Sequence, residues 1–358
     1  MKKLYVLGTG QLGRMLRQAG EPLGIAIYLL SADSKIEITI ENRSLITAEI
    51  EHWPDTQFTK KLAVNDSFIN RDVFPIVSDR LFQKQFLDRL NLVTVPWKPL
   101  LSSSQWDEIF SLLGTLVVVK QRTGGYDGKS QWRLCSHSLS LLPNKFYDNA
   151  IVEKTINFID EISLIGARGY NGKIIFYPLT YNFHQDGILR ASVVLRDVNS
   201  LQKELEDMLA CIMNQLNYIG IMTMECFVTK KGIFINELAP RVHNSGHWTQ
   251  NGASINQFEM HLRAILDFPM PPPIIYMPAV MLNLIGININ IDWLNDPIIH
   301  LHWYNKEVYS HRKVGHLNVV SDDPMKISIA LSRLESILPP TYAKSISWLQ
   351  KKLSRDKN

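Results

Sequence analysis

A chain of 358 residues is long enough for two or three domains and a substantial core, which excludes a small disulfide-stapled module. Its 38 Lys and Arg stand against 34 Asp and Glu, and a net charge of +4 spread so thinly gives no case for nucleic acid as a partner. A hydrophobic fraction of 46% with 20% charged residues leaves no room for long disordered or fibrous tracts.

Cys135, Cys211 and Cys226 form an odd set with no CxxC pair and no histidine at ligand spacing. That argues against a disulfide framework and a structural zinc site, and for a reducing, cytoplasmic setting. The apolar run at residues 4–7 is too short for a signal-peptide core, and residues 279–291 are broken by Asn283, Gly286, Asn288 and Asn290, so no membrane partner is expected.

In chain order, the Lys3–Leu7 strand runs into Gly8, Gly10 and Gly13 and then a helical pattern at 12–19. Apolar runs at 25–30 and 44–46 complete a small parallel α/β domain, residues 1–79. Residues 80–90 are helical. Strands at 117–120 and 131–134 flank a glycine-rich loop, and 150–152 reads as another strand. Residues 201–216 have helical spacing, 219–228 and 233–238 form a hairpin, and 257–266 are helical. Met270-Pro271-Pro272-Pro273 is a stiff extended linker, the clearest boundary between a domain at 80–269 and a last segment, 270–358, of short strands and a terminal helix.

Two glycine-rich matches have more than one reading. Gly8-Thr9-Gly10-Gln11-Leu12-Gly13, with Asp33 beyond it, satisfies the dinucleotide fingerprint, yet such a turn serves any phosphate equally well. Gly124-Gly125-Tyr126-Asp127-Gly128-Lys129-Ser130 ends like a Walker A loop, but it is one residue short and a strand follows where that mechanism needs a helix. A glycine flap between two strands still brings backbone amides close to nucleotide phosphates.

The hairpin carries the sharpest signal. A three-residue turn at Lys230, Lys231 and Gly232 places Thr229 against Ile233 and therefore Glu225 opposite Glu237. Like charges about 5 Å apart cost on the order of a few kcal/mol at moderate dielectric, a cost a divalent cation removes. Register alone fits an exposed hairpin with two solvated glutamates equally well. The polar run from Leu238 through Arg241, His243, Asn244, Ser245 and His247 to Trp248 follows at once, with little in it to pack.

Gly10-Gln11-Leu12-Gly13-Arg14-Met15, Arg122-Thr123-Gly124-Gly125-Tyr126-Asp127-Gly128, Glu225-Cys226-Phe227 and Asn236-Glu237-Leu238-Ala239-Pro240-Arg241-Val242-His243-Asn244-Ser245-Gly246-His247 together resemble the 5-(carboxyamino)imidazole ribonucleotide synthetases. These ATP-grasp enzymes are the ATPase subunit of bacterial phosphoribosylaminoimidazole carboxylase in de novo purine synthesis. The likeness runs nearly end to end, through Gly166-Ala167-Arg168-Gly169 and Lys313-Val314-Gly315-His316-Leu317-Asn318.

The resemblance implies a mixed α/β and α+β chain: a Rossmann-like pre-ATP-grasp domain, a two-lobed ATP-grasp domain and a small β-rich C-terminal domain. It implies joining of bicarbonate to the amine of 5-aminoimidazole ribonucleotide, with ATP consumed through carboxyphosphate. Lys120 and the flap residues Gly125, Tyr126, Asp127, Gly128, Lys129, Ser130 and Gln131 would hold ATP phosphates, with Arg80 and His184 as further nucleotide contacts. Glu153, Lys154, Thr155 and Ile156 would be the adenine hinge and Glu161 the ribose ligand. Glu225 and Glu237, beside Asn236, would bind two magnesium ions with the nucleotide. Arg241, His243, Asn244, Tyr126 and Asp127 would be the catalytic set. Gln11, Ser245, Lys306, Arg312 and Lys313 would contact bicarbonate or the ribonucleotide. A homodimer and a hand-off of product to a mutase would be the partnerships. Ser130 stands where the family flap usually has another glycine, and Tyr309-Ser310-His311 replaces a more usual Arg-Pro-Gly-like run. A formate-activating sister ligase, a nicotinamide oxidoreductase and a nucleotide sensor are the competing readings.

Overall fold

The computed structural model describes residues 3–33, 40–41, 44–125, 130–196, 200–276 and 278–355. Among them no helix is long and apolar enough to cross a membrane. The first unit is a three-stranded parallel sheet of β1 (Lys3–Leu7), β2 (Ala26–Leu30) and β3 (Leu45–Ala48), with β1 in the centre and Leu4 in register with Ile27 and Leu45. The apolar run of β1 follows from burial on both faces: Leu4 and Val6 pack on α1 (Gln11–Gly20), while Tyr5 and Leu7 face Phe68 and Phe74. Helices α2 (Gln57–Ala63) and α3 (Phe74–Ser78) lead out of it, and α4 (Arg80–Arg89) opens the next unit.

A four-stranded antiparallel sheet follows, built from β4 (Trp97–Leu100), β5 (Val117–Gln121), β6 (Gln131–Leu134) and β7 (Ala150–Lys154) in the order β4-β7-β5-β6. Helix α5 (Trp106–Leu113) packs on Val117 and Val119, so alternation turns Val118 and Lys120 to the opposite face.

The remaining strands make one nine-stranded antiparallel sheet: β8 (Asp160–Arg168), β9 (Ile174–Phe176), β10 (Thr180–Gln185), β11 (Ile188–Val194), β12 (Gly220–Thr229), β13 (Gly232–Ala239), β14 (Ala279–Ile285), β15 (Ile299–Trp303) and β16 (Lys313–Val320). Helices α6 (Gln202–Gln215), α7 (Thr249–Gly252) and α8 (Gln257–Ile265) belong to its first half. Strand β14, beyond the proline linker, pairs directly with β11 from Ala191–Leu282 to Val194–Ala279, so the last segment extends this sheet. Helices α9 (Pro324–Ile337) and α10 (Ala343–Arg355) cover it, burying Leu331, Leu349 and Leu353, each worth about 1.5–3 kcal/mol of removal from water. The first unit shares a core with α8, and two polar links fasten it to the start of β12. The Asn70 amide bonds both backbone groups of Ile219 (2.7 and 2.8 Å), and buried His261 accepts from the Ile221 N–H (3.0 Å) and reaches Thr47 (3.3 Å).

The hairpin turn differs from the expected one. Only Lys230 and Lys231 form it: Thr229 pairs with Gly232 and Cys226 with Ile235. The register then shifts between Cys226 and Glu225, leaving Asn236 as the extra residue of a β-bulge, and this restores Glu225 opposite Glu237. The expected pairing is present, produced by a bulge and not by a longer turn.

Candidate active site

The site begins where α4 meets the glycine loop. Asp79 caps α4, accepting from the Leu81 N–H (2.9 Å), and its carboxylate takes a bidentate contact from Arg122 at the end of β5 (2.7 and 3.2 Å). Arg80 donates to the carbonyls of Gln121 (2.9 Å), Gly124 (2.8 Å) and Gly125 (3.3 Å), and lies 4.0 Å from Glu237. Arg80 thus fixes the root of the loop. Gly124 and Gly125 both have positive φ (+70° and +74°), and so does Ser130 (+59°) on the far side. A glycine would take that conformation freely, so the serine costs the loop roughly 1–2 kcal/mol. Tyr126, Asp127, Gly128 and Lys129 lie outside the described residues.

Glu153 pairs with Val118, two residues before Lys120, and both charged side chains leave the sheet on one face. The Glu153 carboxylate is divided between two lysines: Oε2 meets Lys120 Nζ (2.6 Å) and Oε1 meets Lys84 Nζ (2.7 Å). Burial alone would push this carboxyl up, but the two ammoniums outweigh it and hold it down at about 2. Lys120 also donates to Asn236 Oδ1 (3.0 Å), joining the small sheet to the bulge of β13. Lys154, Thr155 and Ile156 continue from Glu153, and the Thr155 hydroxyl is buried with no partner among the described residues.

On the large sheet, Glu225 also sits beside Ser163 of β8, and Glu161 of the same strand bonds His184 of β10. Burial raises the Glu225 carboxyl, His184 opposes this, and Glu237 and Glu161 add to the rise, bringing it to about 7. Burial works against the His184 imidazolium, but the Glu161 hydrogen bond and the Glu225 charge prevail and raise its pKa. A chain of buried donors runs beneath: Ser192 to Asn182 Oδ1 (2.8 Å), Asn182 to Ser163 Oγ (3.0 Å), and Ser163 to Ser245 Oγ (2.8 Å). Ser245 then meets His243 Nδ1 (2.9 Å), which also accepts from the Ser245 N–H (3.3 Å). With Nδ1 an acceptor, the His243 proton sits on Nε2, which faces Glu225 at 3.7 Å. Burial, joined by Arg241 and Lys313, pushes His243 well below its usual pKa, so it is neutral.

Among the described residues no three His, Cys, Asp or Glu side chains converge as ligands of one metal ion. Facing Glu225 and Glu237 instead suit magnesium completed by phosphate oxygens, because the pair is short of positive charge. Glu225 binds its proton more tightly folded than unfolded, so its stability contribution falls as pH rises from about 4.5 to about 7. Glu225→Gln should therefore raise the melting temperature of the ligand-free protein by about 3 °C at pH 8 and by little at pH 5, measured by scanning calorimetry. An equal shift at both pH values would contradict it.

The other expected site residues are brought in from three directions. Arg241 pairs with Glu51 at 2.7 Å, a partner that sequence reasoning missed, and buried Gln257 clamps the His243 backbone at both its N–H (2.9 Å) and carbonyl (2.7 Å). Asn244 accepts from Asn283 of β14 (2.9 Å). Lys306 bonds Gln11, joining the last segment to the first. The charge of Lys313 is felt at Glu225, His184 and His243. Arg312 lies over the Tyr309 ring (4.6 Å) and donates to the Glu307 carbonyl (3.3 Å), two contacts within its own loop.

The glycine turn before α1 is already filled by this chain. Glu49, at the end of β3, accepts from the N–H groups of Gly10 and Gly13 (2.8 Å for Gly13), and a Cβ at Gly10 would lie 2.9 Å from its carboxylate. The anion that a nicotinamide dinucleotide would place there is supplied internally, which removes the dinucleotide reading.

Residues 1–73 match the ribonucleotide synthetase preATP-grasp domain, 85–258 the ATP-grasp domain, and 279–329 the phosphoribosylaminoimidazole carboxylase C-terminal domain. The N5-carboxyaminoimidazole ribonucleotide synthase of Escherichia coli is 56% identical over 98% of this chain and 99% of its own length. The synthetase structure from Thermus thermophilus superposes with a TM-score of 0.83 at 32% identity, covering 94% of this chain and 98% of that one. That from Staphylococcus aureus, complexed with ADP, has a TM-score of 0.79 at 28% identity over 90% of this chain and 94% of its own.

Proposed function

The chain belongs to the N5-carboxyaminoimidazole ribonucleotide synthase family, and from that premise we propose that it joins bicarbonate to the exocyclic amine of 5-aminoimidazole ribonucleotide, consuming ATP. The observation that carries this reading is the joining of two clusters at one bulge: Lys120 with Glu153 from the small sheet, and Glu225 with Glu237 from the large one, both meeting at Asn236.

Bicarbonate is a poor electrophile. Transfer of the ATP γ-phosphoryl group to its oxygen forms carboxyphosphate and ADP; attack by the amine nitrogen then forms the C–N bond and releases phosphate. Phosphoryl transfer asks mainly for positioning and charge neutralisation, and no protein nucleophile is required. Lys120 and the backbone of the glycine flap hold the phosphates, and Arg80 keeps the flap root in place. Glu225 and Glu237 would hold magnesium, which when bound would supply positive charge to the phosphate oxygens. Neutral His243, with its proton on Nε2, donates to an anionic oxygen, and Arg241, held by Glu51, orients the bicarbonate through its remaining N–H donors. Adenine is read by the backbone of the 153–156 hinge, the Glu153 side chain being taken up by the two lysines, and ribose by Glu161, while Gln11, Ser245, Lys306, Arg312 and Lys313 contact the ribonucleotide. A homodimer, passage of the product to a mutase and a cytoplasmic location complete the reading, which the family resemblance supports.

The test is ADP release with ATP, bicarbonate and ribonucleotide omitted in turn. Release should need the ribonucleotide, and labelled bicarbonate should yield an acid-labile carbamate on it. Release that ignores this ribonucleotide but responds to formate with glycinamide ribonucleotide would replace this reading with the sister ligase.

A further inference from the structure

Lys84, on α4, lies outside the expected site, yet it holds half of the Glu153 carboxylate. Its side chain is only 2% exposed and its ammonium is spent inside the protein: on Glu153 Oε1 (2.7 Å), on Thr94 Oγ1 (2.6 Å) and toward the Asn236 carbonyl (3.5 Å). Asp88, one turn further along α4, is the other charge that acts on it besides Lys120. Lys84 therefore has nothing left to offer a ligand. The Lys120 side chain is the more exposed of the two, 9% against 2%, and is held between Glu153 Oε2 (2.6 Å) and Asn236 Oδ1 (3.0 Å), the residue before Glu237.

The arithmetic of charge gives Lys84 a purpose. One carboxylate and one ammonium make a neutral pair, which attracts a phosphate only as a dipole. One carboxylate and two ammoniums leave a net charge of +1, and the less buried of the two lysines is Lys120. We propose that Lys84 is a positioning residue for nucleotide binding, taking up the Glu153 charge so that Lys120 keeps its own for the phosphates. Thr94, which accepts from Lys84 and donates to the Ile235 carbonyl (2.8 Å), carries the same grip to β13, where Asn236 fixes Lys120. The proposal rests on the reading of Lys120 as the phosphate lysine.

The experiment titrates ADP with magnesium into the intact chain by calorimetry, for the unaltered protein, Lys84→Met, Lys120→Met and the double variant Lys84→Met/Glu153→Gln. Lys84→Met should weaken ADP about tenfold or more, the scale of one contact to a charged group, while the KM for the ribonucleotide stays within about twofold. The double variant, neutral at both changed positions, should recover ADP affinity to within about threefold of the unaltered protein. A merely structural lysine would lower the melting temperature without this loss and recovery of affinity. Unchanged ADP binding in Lys84→Met, or a double variant as weak as the single, would overturn the proposal. If Lys84→Met does not fold, the double variant decides alone, recovered affinity supporting the proposal and a tenfold loss overturning it. Unchanged ADP binding in Lys120→Met would overturn the phosphate-lysine reading itself, and this proposal with it.

Discussion

Glu237→Gln should leave the fold intact and cut magnesium-dependent turnover by about two orders of magnitude or more, because one carboxylate is removed from the proposed metal pair while its shape remains. Glu237 is partly exposed, and Arg80, 4.0 Å from it, already bonds three backbone carbonyls, so little native structure depends on the carboxylate. Removing its charge also relieves Glu225, whose carboxyl Glu237 helps to raise. The variant should melt no lower than the unaltered protein. Coupled-assay ADP release near the unaltered rate would sink the assignment of Glu237 as a metal ligand.

Glu237 also shows what the sequence could disclose. Two strand-like runs on either side of Lys230-Lys231-Gly232 made the hairpin legible, and any register aligning the two glutamates brought the carboxylates together. The bulge at Asn236 was not legible, because a two-residue and a three-residue turn both suit Lys230-Lys231-Gly232, and only the observed register tells them apart. The bulge matters, since the Asn236 side chain meets Lys120 from there. Lys84 escaped for a related reason. On α4 the buried positions include Gln83 and Lys84 beside Phe86 and Leu87, and a polar residue on a buried face breaks the hydrophobic pattern by which buried faces are found. Glu49 and Glu51 were overlooked because their partners, the Gly10–Gly13 turn and Arg241, are remote in sequence. The strands after the proline linker were visible, but only the β11–β14 pairing shows that they continue the large sheet.

Glu153→Leu should be strongly destabilising, costing roughly 3–5 kcal/mol at pH 7, because it leaves two buried ammoniums without this counterion. The pH dependence identifies the cause. The Glu153 carboxyl is held at about 2 in the folded protein, against an ordinary value near 4.5 when unfolded. Its stabilisation is therefore fully present above about pH 4.5 and is lost as pH falls toward 2; the difference corresponds to about 3 kcal/mol. Urea denaturation at pH 7 and pH 3 should show the gap between the unaltered protein and Glu153→Leu narrowing by about 2 kcal/mol at the lower pH. Across that window the group whose protonation changes in the unaltered protein is the Glu153 carboxyl, and the variant lacks it. A gap of the same size at pH 3 and pH 7 would mean that packing around residue 153, and not its charge, holds the small sheet against α4.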